Sequence, residues 1–209
     1  MKGLVTTILI LFSPAVLPVT AISQGVVYVS NLNEQLFGYM VGNGSQSFVT
    51  GISSNGYYLN NVTLLMGTWL GNASNFNVSV YSSLNNQAAV LLGALAGTSD
   101  PETTGEYTYT ASGLLLNPNT EYWIVAACDS WSTSPLMPPG GYAWQMTSSA
   151  NYTATDGWSI NNIIGPFPEV QQFAINATPV PEPNVLIIFF LGASCIVAVS
   201  RFRICRLLD

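Results

Sequence analysis

The chain has 209 residues, a formal net charge of −6 and only 7% charged residues, far below the roughly 25% usual in soluble globular domains. Its four basic residues lie at the ends, Lys2 and then Arg201, Arg203 and Arg206. Nothing between them can neutralise phosphates, which excludes nucleic acid as a partner. The chain contains no histidine, and this removes the usual general base, the usual zinc ligand and the Ser-His or Cys-His nucleophile pair.

From the N-terminus, Met1-Lys2 precedes an apolar run over 4–12, followed by Pro14, Pro18 and small residues up to Ser23. One positive charge, a short hydrophobic stretch and small residues before a polar start describe a secretory signal peptide over residues 1–23. Val19 and Ala21 fit cleavage after Ala21; Ala21 and Ser23 fit cleavage after Ser23. The prolines interrupt a continuous spanning helix and so disfavour a retained N-terminal anchor.

Residues 24–178 read as one all-β ectodomain. Runs rich in β-branched and aromatic residues at 26–29, 46–49, 59–69, 76–81, 90–95, 107–111 and 122–127 are separated by Asn, Gly, Ser and Thr clusters. In Phe76-Asn77-Val78-Ser79-Val80-Tyr81 the apolar Phe76, Val78 and Val80 share a face, and in Tyr107-Thr108-Tyr109-Thr110 the tyrosines do. Such alternation suits a half-exposed antiparallel sheet. The segment 87–96 is the nearest approach to an amphipathic helix, but Gly93 and its apolar surroundings favour a strand. Short strands with turn-rich spacers predict a single antiparallel β-sandwich, jelly-roll-like in layout.

Three features of this body invite a chemical reading. Asp100, Glu102 and Glu106 form an acidic loop whose oxygens suit calcium, though loop acids are commonly just solvated and no EF-hand spacing is present. Trp131, Tyr142, Trp144, Tyr152 and Trp158 surround Pro135, Pro138, Pro139, Gly140 and Gly141, which predicts a long loop at the sandwich edge. Exposed rings stack on sugars, so Trp131, Tyr142, Trp144 and Trp158 are candidate glycan contacts; core packing is the competing reading. Cys128 reads as a small buried hydrophobe, since Cys195 and Cys205 belong to the tail. Six Asn-X-Ser/Thr triplets, at Asn43, Asn61, Asn72, Asn77, Asn151 and Asn176, follow from the Asn/Ser/Thr-rich composition. No pair of carboxylates is marked by its surroundings for glycoside hydrolysis. The expectation is a protein that is not an enzyme and takes no cofactor.

The C-terminus has three parts in order: Pro181-Glu182-Pro183, an uncharged apolar run over 185–200, and Arg201, Arg203 and Arg206. The prolines hold the first part extended. As a helix at about 1.5 Å per residue the run spans about 24 Å, short of the ~30 Å hydrocarbon core. Three cations after a hydrophobic span are a stop-transfer signal, which puts the tail on the cytoplasmic side and the body outside.

This arrangement, over residues 179–209, resembles the PEP-CTERM sorting domain of bacterial exported proteins. The resemblance implies that an exosortase, a membrane-embedded cysteine protease, recognises Pro181, Glu182 and Pro183, removes the helix at 185–200 and releases or transfers the body. Arg201, Arg203 and Arg206 would be the topogenic cluster. A tail kept as a plain membrane anchor is the alternative. The family is associated with bacteria that make extracellular polysaccharide and biofilm.

Ser47-Phe48-Val49-Thr50-Gly51, Asn61-Val62-Thr63-Leu64, the 76–81 strand and Gly113-Leu114 through Asn119-Thr120-Glu121-Tyr122-Trp123 occur in that order. Together, over about residues 45–130, they resemble the choice-of-anchor β-domains, in particular type R. The chain departs from that pattern at Leu84-Asn85-Asn86-Gln87, where a small-residue turn is usual. This second resemblance implies surface display and no reaction. The combined expectation is an exported cell-surface or extracellular-matrix structural protein, with an exosortase and extracellular polysaccharide as partners. The alternative is a carbohydrate-binding module or adhesin using 131–158.

Overall fold

The β-branched and aromatic runs form strands, and among the described residues there is no helix. The computed structural model describes residues 25–68, 75–97, 100–128, 141–161 and 169–182. In chain order the strands are β1 (Val26–Ser30), β2 (Leu36–Val41), β3 (Gly44–Val49), β4 (Tyr57–Met66), β5 (Asn77–Leu84), β6 (Gln87–Gly97) and β7 (Gly105–Leu116). They continue with β8 (Glu121–Ala127), β9 (Ala143–Thr147), β10 (Thr153–Ala154), β11 (Ser159–Ile160), β12 (Val170–Gln171) and β13 (Phe173–Pro179).

All pairings are antiparallel, and hydrogen bonding runs β10-β1-β13-β4-β7-β6-β5-β8-β3-β11, with β2, β9 and β12 forming a side branch against β4. The two end strands, β10 and β11, are neighbours in sequence. Asp156 (φ 53°) and Gly157 (φ 78°) join them, and the Trp158 N–H donates to Thr155 O at 3.0 Å. Two central residues in the left-handed region are what a type I′ turn requires. This tight turn brings the ends of the sheet together, so the sheet is nearly closed into a barrel.

The core lies inside this wrapped sheet. Along β4, Tyr57 and Leu59 are buried, then Val62, Leu64 and Met66. The alternation changes phase at Asn60 and Asn61, where β4 takes two steps from Leu59 to Asn61 against one step from Ala177 to Asn176 on β13, and the register with β7 shifts at the same place. A bulge delivers this change: an extra residue turns the following side chains to the other face. Its partner segment on β7 contains Gly113 at φ 67°.

Polar side chains are buried where the side branch meets the barrel, and Asn31 and Gln46 are tied to backbone there. Asn31 donates to Gln171 O at 3.0 Å and accepts from Phe173 N at 2.7 Å. Gln46 accepts from Gln171 N at 3.1 Å and donates to Asn161 O at 2.9 Å. These bonds satisfy amides that strand irregularity would otherwise leave unpaired. Cys128 is buried just beyond β8, its N–H held by Asn43 Oδ1 at 3.1 Å.

Candidate functional site: the tail-bearing end of the barrel

The chain leaves the barrel at the end of β13, where Pro179 pairs with Tyr57 at the start of β4. Here the β3–β4 turn receives it. Gly56 N–H donates to Ser53 O at 3.0 Å, closing that turn, and Gly56 takes φ 82°. A Cβ on Gly56 would stand 2.2 Å from Leu116 O, so the turn requires glycine. Val180 N–H donates to Gly56 O at 3.0 Å. Asn55 Nδ2 donates to Pro181 O at 3.2 Å, and Ser54 Oγ donates to Glu182 Oε1 at 3.0 Å. Pro181 and Glu182 are exposed, held outside the core by hydrogen bonds instead of packing.

Behind this junction lies a buried support. Tyr57 hydroxyl donates to the Asp156 carboxylate and accepts from Ser53 N at 3.0 Å. Burial, and then the bond to Asp156, push the Tyr57 hydroxyl above its usual pKa. Ile52 N–H donates to Asp156 O at 3.1 Å, and Asn119 N–H donates to Gly51 O at 2.9 Å. Three turns and the tail junction thus interlock at one end of the barrel. The arrangement presents an exposed proline and carboxylate on a rigid base. Pro183, the run at 185–200, the cluster Arg201, Arg203 and Arg206, and the leader at 1–23 lie outside the described residues.

The aromatic candidates are placed differently from a sugar-binding platform. Tyr142, Trp144 and Trp158 are only 2%, 2% and 3% exposed. This corrects their reading as glycan contacts, because a ring without a free face cannot stack on a sugar. Trp158 stacks on Tyr28 at 5.2 Å between centroids, and Trp144 Nε1 donates to Gln172 O at 2.9 Å. Tyr142 meets Phe76 edge-on at 4.7 Å. Burial and a hydrogen bond to Asp100 push the Tyr142 hydroxyl up. Trp158 packs against Tyr57, whereas Trp144 pairs with Met66 at the other end of the ten-residue β4, roughly 30 Å away at about 3.3 Å per residue. Trp131 lies outside the described residues, and so does most of the expected loop around it. Among the described residues the large exposed rings are Phe37, Tyr39 and Tyr58, outside that segment, and Tyr152 within it.

Asp100 serves the fold by accepting from Phe76 N at 3.3 Å. Glu102 and Glu106 are exposed. Among the described residues no group of three or more His, Cys, Asp or Glu side chains is placed to hold a metal ion. Ser54 and Asn55, which grip the tail, carry no motif, and the dipeptide Asp156-Gly157 was the local signal for the turn behind them. Comparison of the chain with protein-family models, curated proteins and solved structures finds no match.

Proposed function

We propose that the chain is an exported bacterial structural protein of the cell surface or extracellular matrix, sorted and processed through its C-terminal tail. The observation that carries this reading is the order of Pro181-Glu182-Pro183, the uncharged run at 185–200, and Arg201, Arg203 and Arg206. In this reading residues 1–23 direct export and the helix at 185–200 holds the body outside the membrane. An exosortase-type protease then takes the motif as its recognition element. The exposure of Pro181 and Glu182 at the end of β13 supports it, since a protease must reach its motif without unfolding the body.

The body is the displayed part, and the protein has no reaction of its own to perform. Its all-β antiparallel sheet, nearly closed on itself, is compatible with the jelly-roll-like body proposed for a choice-of-anchor domain. A surface with abundant Asn, Ser and Thr and few charges suits a hydrated polysaccharide surrounding. The deciding measurement is mass spectrometry of the mature protein from fractionated cells. A C-terminus near Pro183 in the surface or secreted fraction is expected. An intact Asp209 end retained in the membrane would sink the processing step.

A further inference from the structure

Large apolar side chains reach solvent around the end of the barrel from which the tail leaves. Ile52, in the β3–β4 turn, is 65% exposed, and the cross-strand pair Tyr58 and Leu115 on β4 and β7 is 42% and 48% exposed. Val26 and Val27, also exposed, pair with Ala177 and Asn176 near the end of β13. The carboxylates at this end are engaged: Asp156 accepts from Tyr57, Glu182 from Ser54, and Glu121 from Ser83 and Asn161. The exposed Glu102 and Glu106 lie toward the opposite end, where Glu106 pairs with Leu65. Apolar side chains are exposed on β2 at that opposite end too, so exposure by itself selects no occupant.

The length of the tail does select one. Asn55 and Ser54 hold Pro181 and Glu182 against the barrel, so only Pro183 and Asn184 separate the clasped chain from the apolar run at 185–200. Three backbone steps, from Glu182 to Val185, reach at most about 11 Å. The polar layer on each side of a bilayer's hydrocarbon core is about 5–8 Å thick. The run itself spans about 24 Å as a helix, less than the ~30 Å core, which draws its first residue to the hydrocarbon boundary or below it. With the run in a membrane, the turn that carries Ile52, Ser54 and Asn55 cannot stand clear of the headgroups. We propose that the tail-bearing end of the barrel docks on the surface of a zwitterionic bilayer, with Ile52, Tyr58 and Leu115 seated in the headgroup layer. The inference rests on reading 185–200 as a membrane anchor. An amphipathic tyrosine ring suits that depth. No described residue is Lys or Arg, so anionic lipid offers no attraction and the contact is apolar.

The test places the full-length chain in phosphatidylcholine vesicles and nanodiscs that contain some lipid with a photoreactive headgroup. Flotation with the vesicles reports the anchor, and mass spectrometry maps the residues that the lipid labels. Labelling is expected at Ile52, Tyr58 and Leu115, and about tenfold less at Phe37 and Tyr39, which are similarly exposed at the other end. Ile52→Asp combined with Leu115→Asp should lower labelling of Tyr58 by about tenfold, with flotation and the circular dichroism spectrum unchanged. The milder pair Ile52→Ser and Leu115→Ser should lower it in the same direction. A chain that floats but is labelled equally at both ends overturns the docking and leaves the anchor standing. So does Tyr58 labelling that both pairs leave untouched, which would mean a barrel tethered near the lipid without contact. A chain that fails to float removes the anchor, and the docking with it.

Discussion

Trp158 and Phe48 lie face to face, with ring planes 4° apart and centroids separated by 5.9 Å. Trp158 also meets Tyr57 edge-on at 4.9 Å and 74°. One indole therefore ties the turn that closes the barrel to β3 and β4. Removing it opens a cavity at the seam between the two ends of the sheet. Trp158→Ala is expected to cost about 3–5 kcal/mol in urea unfolding. A loss under about 1 kcal/mol would mean that the seam does not depend on this ring.

The β5–β6 hairpin turns through Asn85 (φ 53°) and Asn86 (φ 57°), flanked by the pair Leu84 and Gln87. Both central residues are left-handed, as a type I′ turn demands, and Asn tolerates this better than most residues. Asn86→Ala should destabilise the protein by about 1 kcal/mol, and Asn86→Gly should match or exceed wild type. Thermal melts of the two variants test the pair. Equal midpoints would remove the turn from the account of hairpin stability.

The seven strand segments expected at 26–29 through 122–127 each overlap one of β1 and β3 to β8, because their β-branched and aromatic runs are local signals, although the segment at 59–69 runs past the end of β4 at Met66. β2 was hidden by having no polar alternation: Leu36, Phe37, Tyr39 and Met40 are exposed together on an edge strand. β9 sits beside a Pro/Gly-rich stretch that reads as loop, and β13 carries Asn176 and ends in Pro179. The wrapping of the sheet rests on Asp156-Gly157 joining its two end strands, a dipeptide that is informative only once the strand order is known. Trp144 and Trp158 show the harder gap. Composition places a ring in a segment, but only strand pairing decides which face it takes. Ser54 and Asn55 meet Glu182 and Pro181 across separations of 128 and 126 residues, beyond any local pattern.

Gln172 is fully buried, and its Nε2 donates to Asn31 O at 3.0 Å and Glu34 O at 2.9 Å. One side chain thus satisfies the carbonyls of the β1–β2 connection from inside the barrel. Gln172→Leu keeps much of the volume but leaves the Glu34 carbonyl without that donor, while Asn31 O keeps the Glu34 N–H at 3.1 Å. The expected cost is about 3 kcal/mol in chemical denaturation, with the m-value unchanged. A near-neutral result would show that water reaches these carbonyls.

Tyr28, Tyr57, Tyr109, Tyr122 and Tyr142 all have hydroxyls pushed above their usual pKa, in each case first by burial. In the unfolded chain these groups lose their protons near the ordinary value of about 10, while in the folded protein they hold them to higher pH. Above about pH 10 the unfolded state therefore binds fewer protons, and stability falls as pH rises. Their contribution is complete below about pH 10 and disappears as the folded hydroxyls ionise. Urea midpoints measured from pH 8 to 11 should be level at first and then drop, with the share of tyrosinate absorbance that belongs to these five buried rings appearing together with unfolding. Free ionisation of all tyrosines near pH 10 in a still-folded protein would contradict the burial.

The tail junction allows a test that needs no protease. Val180 follows Pro179 and precedes Pro181, so its N–H, bonded to Gly56 O at 3.0 Å, is an isolated reporter of whether the tail is seated. The bonds from Asn55 to Pro181 and from Ser54 to Glu182 are exposed, each worth about 0.5–1.5 kcal/mol. Removing both with Ser54→Ala and Asn55→Ala should speed hydrogen exchange at Val180 by about tenfold through local opening. The amide of Ile175, deep in β13 between β1 and β4, should keep its protection, because the barrel itself is unaltered. Unchanged exchange at Val180 would show that the backbone bond to Gly56 seats the tail alone. Faster exchange at both amides would show that the turn supports the whole strand, and that Pro181 and Glu182 are held by the barrel's stability and not by a clasp of their own.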